Sequence, residues 1–149
     1  MVTLFLVAEL KQKNPSLFIP QQFNNPANPE IHRLTTGPEI YQDSAGLVDV
    51  LIGGVGTGGT ISGAGKYLKS QKKSVKIVAV EPASSPLLSE GTAGPHKIQG
   101  IGANFIPQNY DPTVVDKVMT VSNEDAFDTG RLLAQKEGVF AGISAGAAL

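Results

Sequence analysis

Leu47-Val-Asp-Val-Leu-Ile-Gly-Gly-Val-Gly-Thr-Gly-Gly-Thr60 is the stretch on which the reading of this sequence turns. Its first half, Leu47 to Ile52, is an apolar run rich in β-branched residues and reads as a buried strand. Its second half packs five glycines into seven positions, and Thr60 to Leu68 then has helix character despite Gly63 and Gly65. A strand, a glycine turn and a helix N-terminus gather backbone N–H groups into one concavity. The positive end of the helix dipole faces the same way, so the unit suits a phosphate. Glycine is required there because a Cβ would hold the backbone away from the anion. Thr57 and Thr60 add hydroxyl donors.

Outward from that unit, strands and helices alternate. Val75 to Val80 reads as a second buried strand and Val115 to Val121 as a third. Ser122 with Asp125 approximates a capping box, Glu124 to Glu137 is helical, and Gly138 is its stop. Val139 to Ala141 is a candidate for a last short strand. Upstream, Leu17, Phe18 and Ile19 form a short strand candidate before Pro20. Asn28 followed by Pro29 suits a helix start, and that helix is expected to end by Gly37-Pro38. The apolar opening, Met1 to Val7, reads as part of a core helix running to Asn14-Pro15. No basic residue precedes it, and Glu9 and Lys11 end it well short of a membrane span. The pattern is that of an α/β layered fold with a largely parallel sheet. Glu81 to Pro112 breaks the alternation with five Pro and four Gly, and its low charge favours a packed, functional loop.

Composition removes several function classes. The chain has 149 residues, 12 Lys plus Arg against 13 Asp plus Glu, and no Cys. It therefore has no disulfide, no thiolate nucleophile and no Cys-based zinc site. His32 and His96 are too few and too far apart in sequence for a metal centre. A net charge of −1 lacks the electrostatic footprint of a nucleic-acid binder. The expectation is a soluble, cytoplasmic protein without membrane contact. The basic run Lys66, Lys69, Lys72, Lys73 and Lys76 reads as a solvated face around a helix end.

The kind of phosphate stays open on these residues alone. Gly54 to Gly59 matches G-x-G-x-x-G, and Glu81 ends the next strand about where a dinucleotide fold keeps its ribose-binding acid. A dinucleotide-binding oxidoreductase module is thus one reading. Against it, the strand lies a third of the way into the chain, and two threonines line the turn as a terminal monophosphate favours. Lys66 is followed by Tyr67 and lacks the glycine spacing of a Walker loop. Gly142-Ile-Ser-Ala-Gly146 matches the G-x-S-x-G nucleophile elbow, but only three residues follow it, so no acid and His come after the Ser. Ser144 at a helix start suits ligand anchoring instead. His96 reads as a hydrogen-bonded structural residue, with catalytic acid/base work as the alternative.

Taken together, Asn25-Pro-Ala-Asn-Pro-Glu-Ile-His32, Thr35-Thr-Gly-Pro-Glu-Ile40, Gly54 to Thr60, Gly94-Pro-His-Lys-Ile-Gln-Gly-Ile-Gly102 and Gly142-Ile-Ser144 resemble the cysteine synthases (O-acetylserine sulfhydrylases). That family belongs to the fold type II, tryptophan-synthase-β-like group of pyridoxal-phosphate enzymes. The resemblance runs from about Pro20 to the last residue. It implies a three-layer α/β fold and a β-replacement that turns O-acetyl-L-serine and sulfide into L-cysteine and acetate. It also implies that Gly56, Thr57, Gly58, Gly59 and Thr60 cradle the cofactor phosphate and that Ser144 faces the pyridine nitrogen. Gln22, Phe23 and Gly100 match positions at the substrate pocket. The implied partners are a second copy, as homodimer, and serine acetyltransferase. Cystathionine β-synthase carries a similar glycine loop and is the alternative within the group.

The departures bear on activity. In the family, the Schiff-base lysine sits in a Ser-rich segment before an Asp-Arg pair, and no Lys here has that context. A Thr-Ser-Gly-Asn-Thr type substrate loop is also absent. Residues 1–149 are accordingly expected to form a single incomplete domain, a fragment holding the cofactor-phosphate portion and inactive alone. Smaller departures are Ala145, where Ser is frequent, and Asn104, where Gly is frequent.

Overall fold

A computed structural model describes residues 2–149, with side chains from Leu6 onward. In chain order the elements are α1 (Val2–Lys13), α2 (Ala27–Leu34), α3 (Thr36–Asp43), β1 (Val50–Gly54), α4 (Gly59–Gln71), β2 (Lys76–Pro82), α5 (Leu87–Glu90), β3 (Lys117–Val121), α6 (Asn123–Glu137) and α7 (Ile143–Ala148). Among the described residues the strands form one sheet in the order β1-β2-β3, parallel throughout. Val50 lies beside Lys76, and Val78 beside Lys117.

β2 is the centre because both of its faces are covered, as its unbroken apolar run requires. Ile77 and Ala79 join Val55, Ile61, Leu68, Val75 and Val114 in one buried cluster under α4. Val80 points the other way, into a second cluster with Ile98, Ile101, Ala126 and Ala147 from the long loop, α6 and α7. The result is three layers, with α2, α3 and α4 on one side of the sheet and α6 and α7 on the other. Asp116, just before β3, fastens the layers: it accepts from the Ile77 amide at 2.7 Å and pairs with Lys69 of α4 at 2.8 Å. The Lys69 ammonium and then the Ile77 amide hold its carboxyl below the usual aspartate range.

Several expectations hold and several do not. The α6 boundaries are set by local chemistry as expected: Ser122 Oγ accepts from the Asp125 amide, and Gly138 ends the helix at φ 70°. The long loop is packed, with Ile98 and Ile101 buried. Leu17 to Ile19 is not a strand, and neither is Val139 to Ala141. Phe18 and Phe140 are 85% and 97% exposed, and among the described residues neither triplet joins the β1-β2-β3 sheet. β1 is not a buried strand; at the sheet edge its Val50 and Ile52 are about half exposed. α1 is helical, but Leu6 and Leu10 are exposed, so it is no core helix; Met1 lies outside the described residues.

The Asn28-Pro29 start is displaced, whereas α2 does end before Gly37-Pro38, at Leu34. Helix α2 begins at Ala27, whose amide is taken by Asn25 Oδ1 at 3.0 Å, and Asn28 lies inside the first turn. Gly37 and Pro38 do not end a helix but open α3, where the missing N–H of proline costs nothing. The basic run is only partly a free solvated face, since Lys72 pairs with Asp49 at 2.6 Å and Lys69 with Asp116.

Candidate functional site

β1 ends at Gly54, and the chain turns through Val55 to Gly58 into α4 at the carboxyl end of the parallel sheet, where open α/β folds bind ligands. The turn stays close to its neighbours. Val55 donates to Val80 O at 3.0 Å and accepts from Gly102 N at 3.1 Å, so the loop carrying Gly100 and Gly102 is laced to the glycine turn. A Cβ on Gly56 would sit 2.5 Å from Gly100 O, which leaves no alternative to glycine. Gly58 caps α4 in the left-handed region at φ 81°, again against protein backbone, that of Tyr110.

These pieces enclose a cleft of about 440 Å³ bounded by the whole of Gly56 to Thr60, by Gly100 and by Ser144. Sequence reasoning placed the glycine loop and Ser144 at a cofactor and Gly100 at a substrate, and the structure brings all of them to one cavity. Ser144 opens α7, and its Oγ lies 3.9 Å from where a Cβ on Gly100 would stand. The donor set suits a phosphorylated ligand. The amides of Gly58 to Ile61 have no backbone partner within the helix, that of Gly59 reaching only Thr57 Oγ1 at 3.4 Å. Two threonine hydroxyls flank them, and the helix dipole adds positive potential. No Asp, Glu, Lys or Arg lines this cleft, so the anion would be held by hydrogen bonds and dipoles.

Gln22 and Phe23 do not line that cleft. The Gln22 carbonyl accepts from Asn28 Nδ2 and Asn109 Nδ2, each at 2.7 Å, and the Phe23 ring meets Phe105 edge-on at 5.0 Å between centroids. Gln22 is linked to Thr57 through Asn28.

Glu81 is where the sequence puts it, at the end of β2, but it is buried and fully engaged. Its carboxylate accepts from the Leu88 amide at 2.7 Å, the Ser89 amide at 3.0 Å and Ser89 Oγ at 2.6 Å. It staples α5 to the sheet and is only 2% exposed, out of reach of a ribose in the cleft, so the dinucleotide reading loses its acid. His96 Nε2 donates to Gly102 O at 2.8 Å and steadies the loop that carries Gly100, while its buried Nδ1 has no hydrogen-bond partner among the described residues. Among the described residues there is no cluster of His, Asp or Glu able to hold a metal, and no helix long and apolar enough to cross a membrane. Asn104, where glycine is frequent in the family, stands at φ 61°, a left-handed conformation that asparagine tolerates better than other side chains.

Two residues were missed as parts of the site. Asn28 Nδ2 donates to Thr57 Oγ1 at 3.0 Å, and His32 Nε2 lies 3.2 Å from Thr60 Oγ1. The signal available in sequence was their spacing of four, which puts both on one face of a helix.

The fold and the site together define a glycine-rich strand–loop–helix unit in a three-layer α/β protein. The chain belongs to the pyridoxal-phosphate dependent enzyme family, whose sequence model matches residues 2–149. It is 53% identical over 150 residues to a cysteine synthase of Buchnera aphidicola, covering 95% of this chain and 48% of that protein. The crystal structure of cysteine synthase from Entamoeba histolytica superposes with a TM-score of 0.92 at 40% identity, covering 97% of this chain and 43% of that one. A hydrogen sulfide-producing enzyme of Fusobacterium nucleatum gives the same TM-score at 47% identity, covering 97% of this chain and 49% of that one. The parallel three-layer architecture is therefore that of the fold type II group. The chain spans about half the length of the curated relatives it matches.

Proposed function

We propose that this chain is the cofactor-phosphate-binding portion of a cysteine synthase, the enzyme that makes L-cysteine and acetate from O-acetyl-L-serine and sulfide. One observation carries the reading. Gly56 to Thr60, Gly100 and Ser144, spread over nearly ninety positions, close around a single cleft rich in N–H and O–H donors and free of charged side chains. The glycine-loop amides and the hydroxyls of Thr57 and Thr60 bind the phosphate and orient the ring. When bound, pyridoxal phosphate supplies an electron sink for charge developing at the amino-acid α-carbon. Ser144 offers the ring nitrogen a neutral hydroxyl in place of an acid. That leaves the nitrogen unprotonated and favours β-elimination chemistry over transamination. Gly100, held by the His96-anchored loop, keeps the substrate side of the cleft open, while Gln22 and Phe23 stand outside the cleft, Gln22 holding Asn28 through its carbonyl.

On this reading residues 1–149 act as one incomplete domain of a cytoplasmic, homodimeric enzyme that also docks serine acetyltransferase. The Schiff-base lysine is supplied by sequence this chain does not contain. The test is a titration of the 149-residue chain with pyridoxal phosphate and, separately, NAD, followed by borohydride reduction and peptide mapping. Pyridoxal phosphate is expected to bind and NAD not to bind, with no single lysine labelled stoichiometrically and no cysteine formed on adding O-acetyl-L-serine and sulfide. Preference for NAD, or one fully labelled lysine with sulfide-dependent cysteine production, overturns the proposal.

A further inference from the structure

We infer that Asn28 and His32 of α2 are positioning residues that donate hydrogen bonds to Thr57 and Thr60 from behind, so that both threonine protons point forward to a phosphate oxygen. The inference rests on the phosphate reading above and adds a second row of residues to it.

The Asn28 half follows from donor and acceptor identity. Asn28 Nδ2 reaches the Gln22 carbonyl at 2.7 Å and Thr57 Oγ1 at 3.0 Å. A carbonyl oxygen only accepts, so the amide must turn its NH₂ that way, and Thr57 Oγ1 then also accepts. The Thr57 proton is left free for the cleft. His32 makes the matching contact one turn further along the same face, with Nε2 3.2 Å from Thr60 Oγ1 and Nδ1 2.9 Å from Thr36 Oγ1. A neutral imidazole carries one proton, and its two placements differ in consequence. With the proton on Nε2, Thr60 accepts and keeps its own proton for the ligand, while Thr36 donates to Nδ1. With the proton on Nδ1, Thr60 must donate to Nε2 and has nothing left for a phosphate oxygen. Only the first placement gives Thr60 the role that Asn28 imposes on Thr57. The phosphate role of Thr60 thus requires the Nε2–H tautomer.

The approach of α2 is built into the helix it wires. A Cβ on Gly63 would strike Pro29 O and come within 2.9 Å of the His32 Cβ, and one on Gly59 would strike Asn28. The two α4 glycines one turn apart are therefore what bring Asn28 and His32 within reach of Thr57 and Thr60.

Nitrogen-15 NMR of the imidazoles in the 149-residue chain at mildly alkaline pH reads the tautomer directly, with His32 assigned by its absence in H32Q. A protonated Nε2 and an acceptor-type Nδ1 are expected, and a protonated Nδ1 with a bare Nε2 overturns the wiring. The second measurement titrates pyridoxine 5'-phosphate and pyridoxine, which lack the aldehyde and form no lysine adducts. H32L is expected to weaken only the phosphorylated ligand, by about three- to tenfold, the worth of one hydrogen bond. H32Q, whose carboxamide still donates, is expected to recover most of that loss. Equal weakening of both ligands, or no recovery in H32Q, marks His32 as merely structural and overturns the inference. If the unaltered chain binds neither ligand, the proposed function fails, whereas the tautomer still decides the wiring.

Discussion

The two glycine clusters look alike in sequence and are glycine-rich for different reasons. In Gly54 to Gly59, added Cβ atoms meet fixed groups at close range: Gly100 O at 2.5 Å from Gly56, the Tyr110 backbone at 2.8 Å from Gly58, and Asn28 against Gly59. In Gly142 to Gly146 the glycines part company. Gly142 has nothing within 4 Å of its missing Cβ, while Gly146 lies against the Ala126 carbonyl and Gly130 of α6. The first cluster shapes a turn around a cavity. The second combines a helix start that needs no glycine with one helix-packing contact that does. The match of the second cluster to the nucleophile elbow is a coincidence of one open helix-start glycine and one packing glycine on either side of Ser144.

The sharpest way to break this comparison is Gly58→Ala. The left-handed conformation costs a side chain roughly 1–2 kcal/mol, and overpacking against backbone adds about 1–3 kcal/mol. A loss of roughly 3 kcal/mol is expected in urea unfolding, a large fraction of the stability of a typical domain. A loss under about 1 kcal/mol, below either cost taken alone in its middle range, would show that the turn is not held as tightly as its neighbours imply. Next comes Gly146→Ala. Its Cβ would meet the Ala126 carbonyl and the Gly130 amide, but φ is ordinary and α7 is six residues long, so the helix can shift as a unit. The expected loss is about 1–2 kcal/mol, at the lower part of the overpacking range. A value equal to that of Gly58→Ala would erase the distinction between turn glycine and packing glycine.

What was legible in the sequence follows the same division between local and distant causes. The glycine turn, β2 and both ends of α6 are written in adjacent residues, such as Ser122 with Asp125 and Gly138, and the structure keeps them. Leu17 to Ile19 and Val139 to Ala141 are apolar triplets with the right residues for strands. A strand needs a neighbour to pair with, however, and no sequence window shows one. Asn28 has the chemistry of a cap, yet the capping contact went to Asn25, and Asn28 was drawn instead to Thr57, 29 positions away. Glu81 stands where the sequence puts it, and the ribose role left open for it as an alternative fails because the amides of Leu88 and Ser89 that engage its carboxylate arrive from a separate helix turn. The site was half legible for this reason. Its front row, Gly56 to Thr60 with Ser144 and Gly100, carries motifs, whereas its back row, Asn28 and His32, exists only once α2 docks on Gly59 and Gly63.

The smallest expected effect is the most discriminating for the second cluster. Gly142 occupies the N-cap of α7 with φ −73° and ψ 167°, an extended conformation open to any residue, and no side chain caps the helix. Serine there can take an orphan amide of the first turn, at no steric cost, since nothing lies within 4 Å of the new Cβ. Gly142→Ser is therefore expected to leave stability unchanged or raise it by a few tenths of a kcal/mol, read as a small rise in unfolding midpoint. A loss above about 1 kcal/mol would mean that the backbone at Gly142 is held by something other than local geometry, since exposed sites rarely cost that much. Glycine at this position would then have a role in the cleft beside Ser144, and the two clusters would be more alike than their packing suggests.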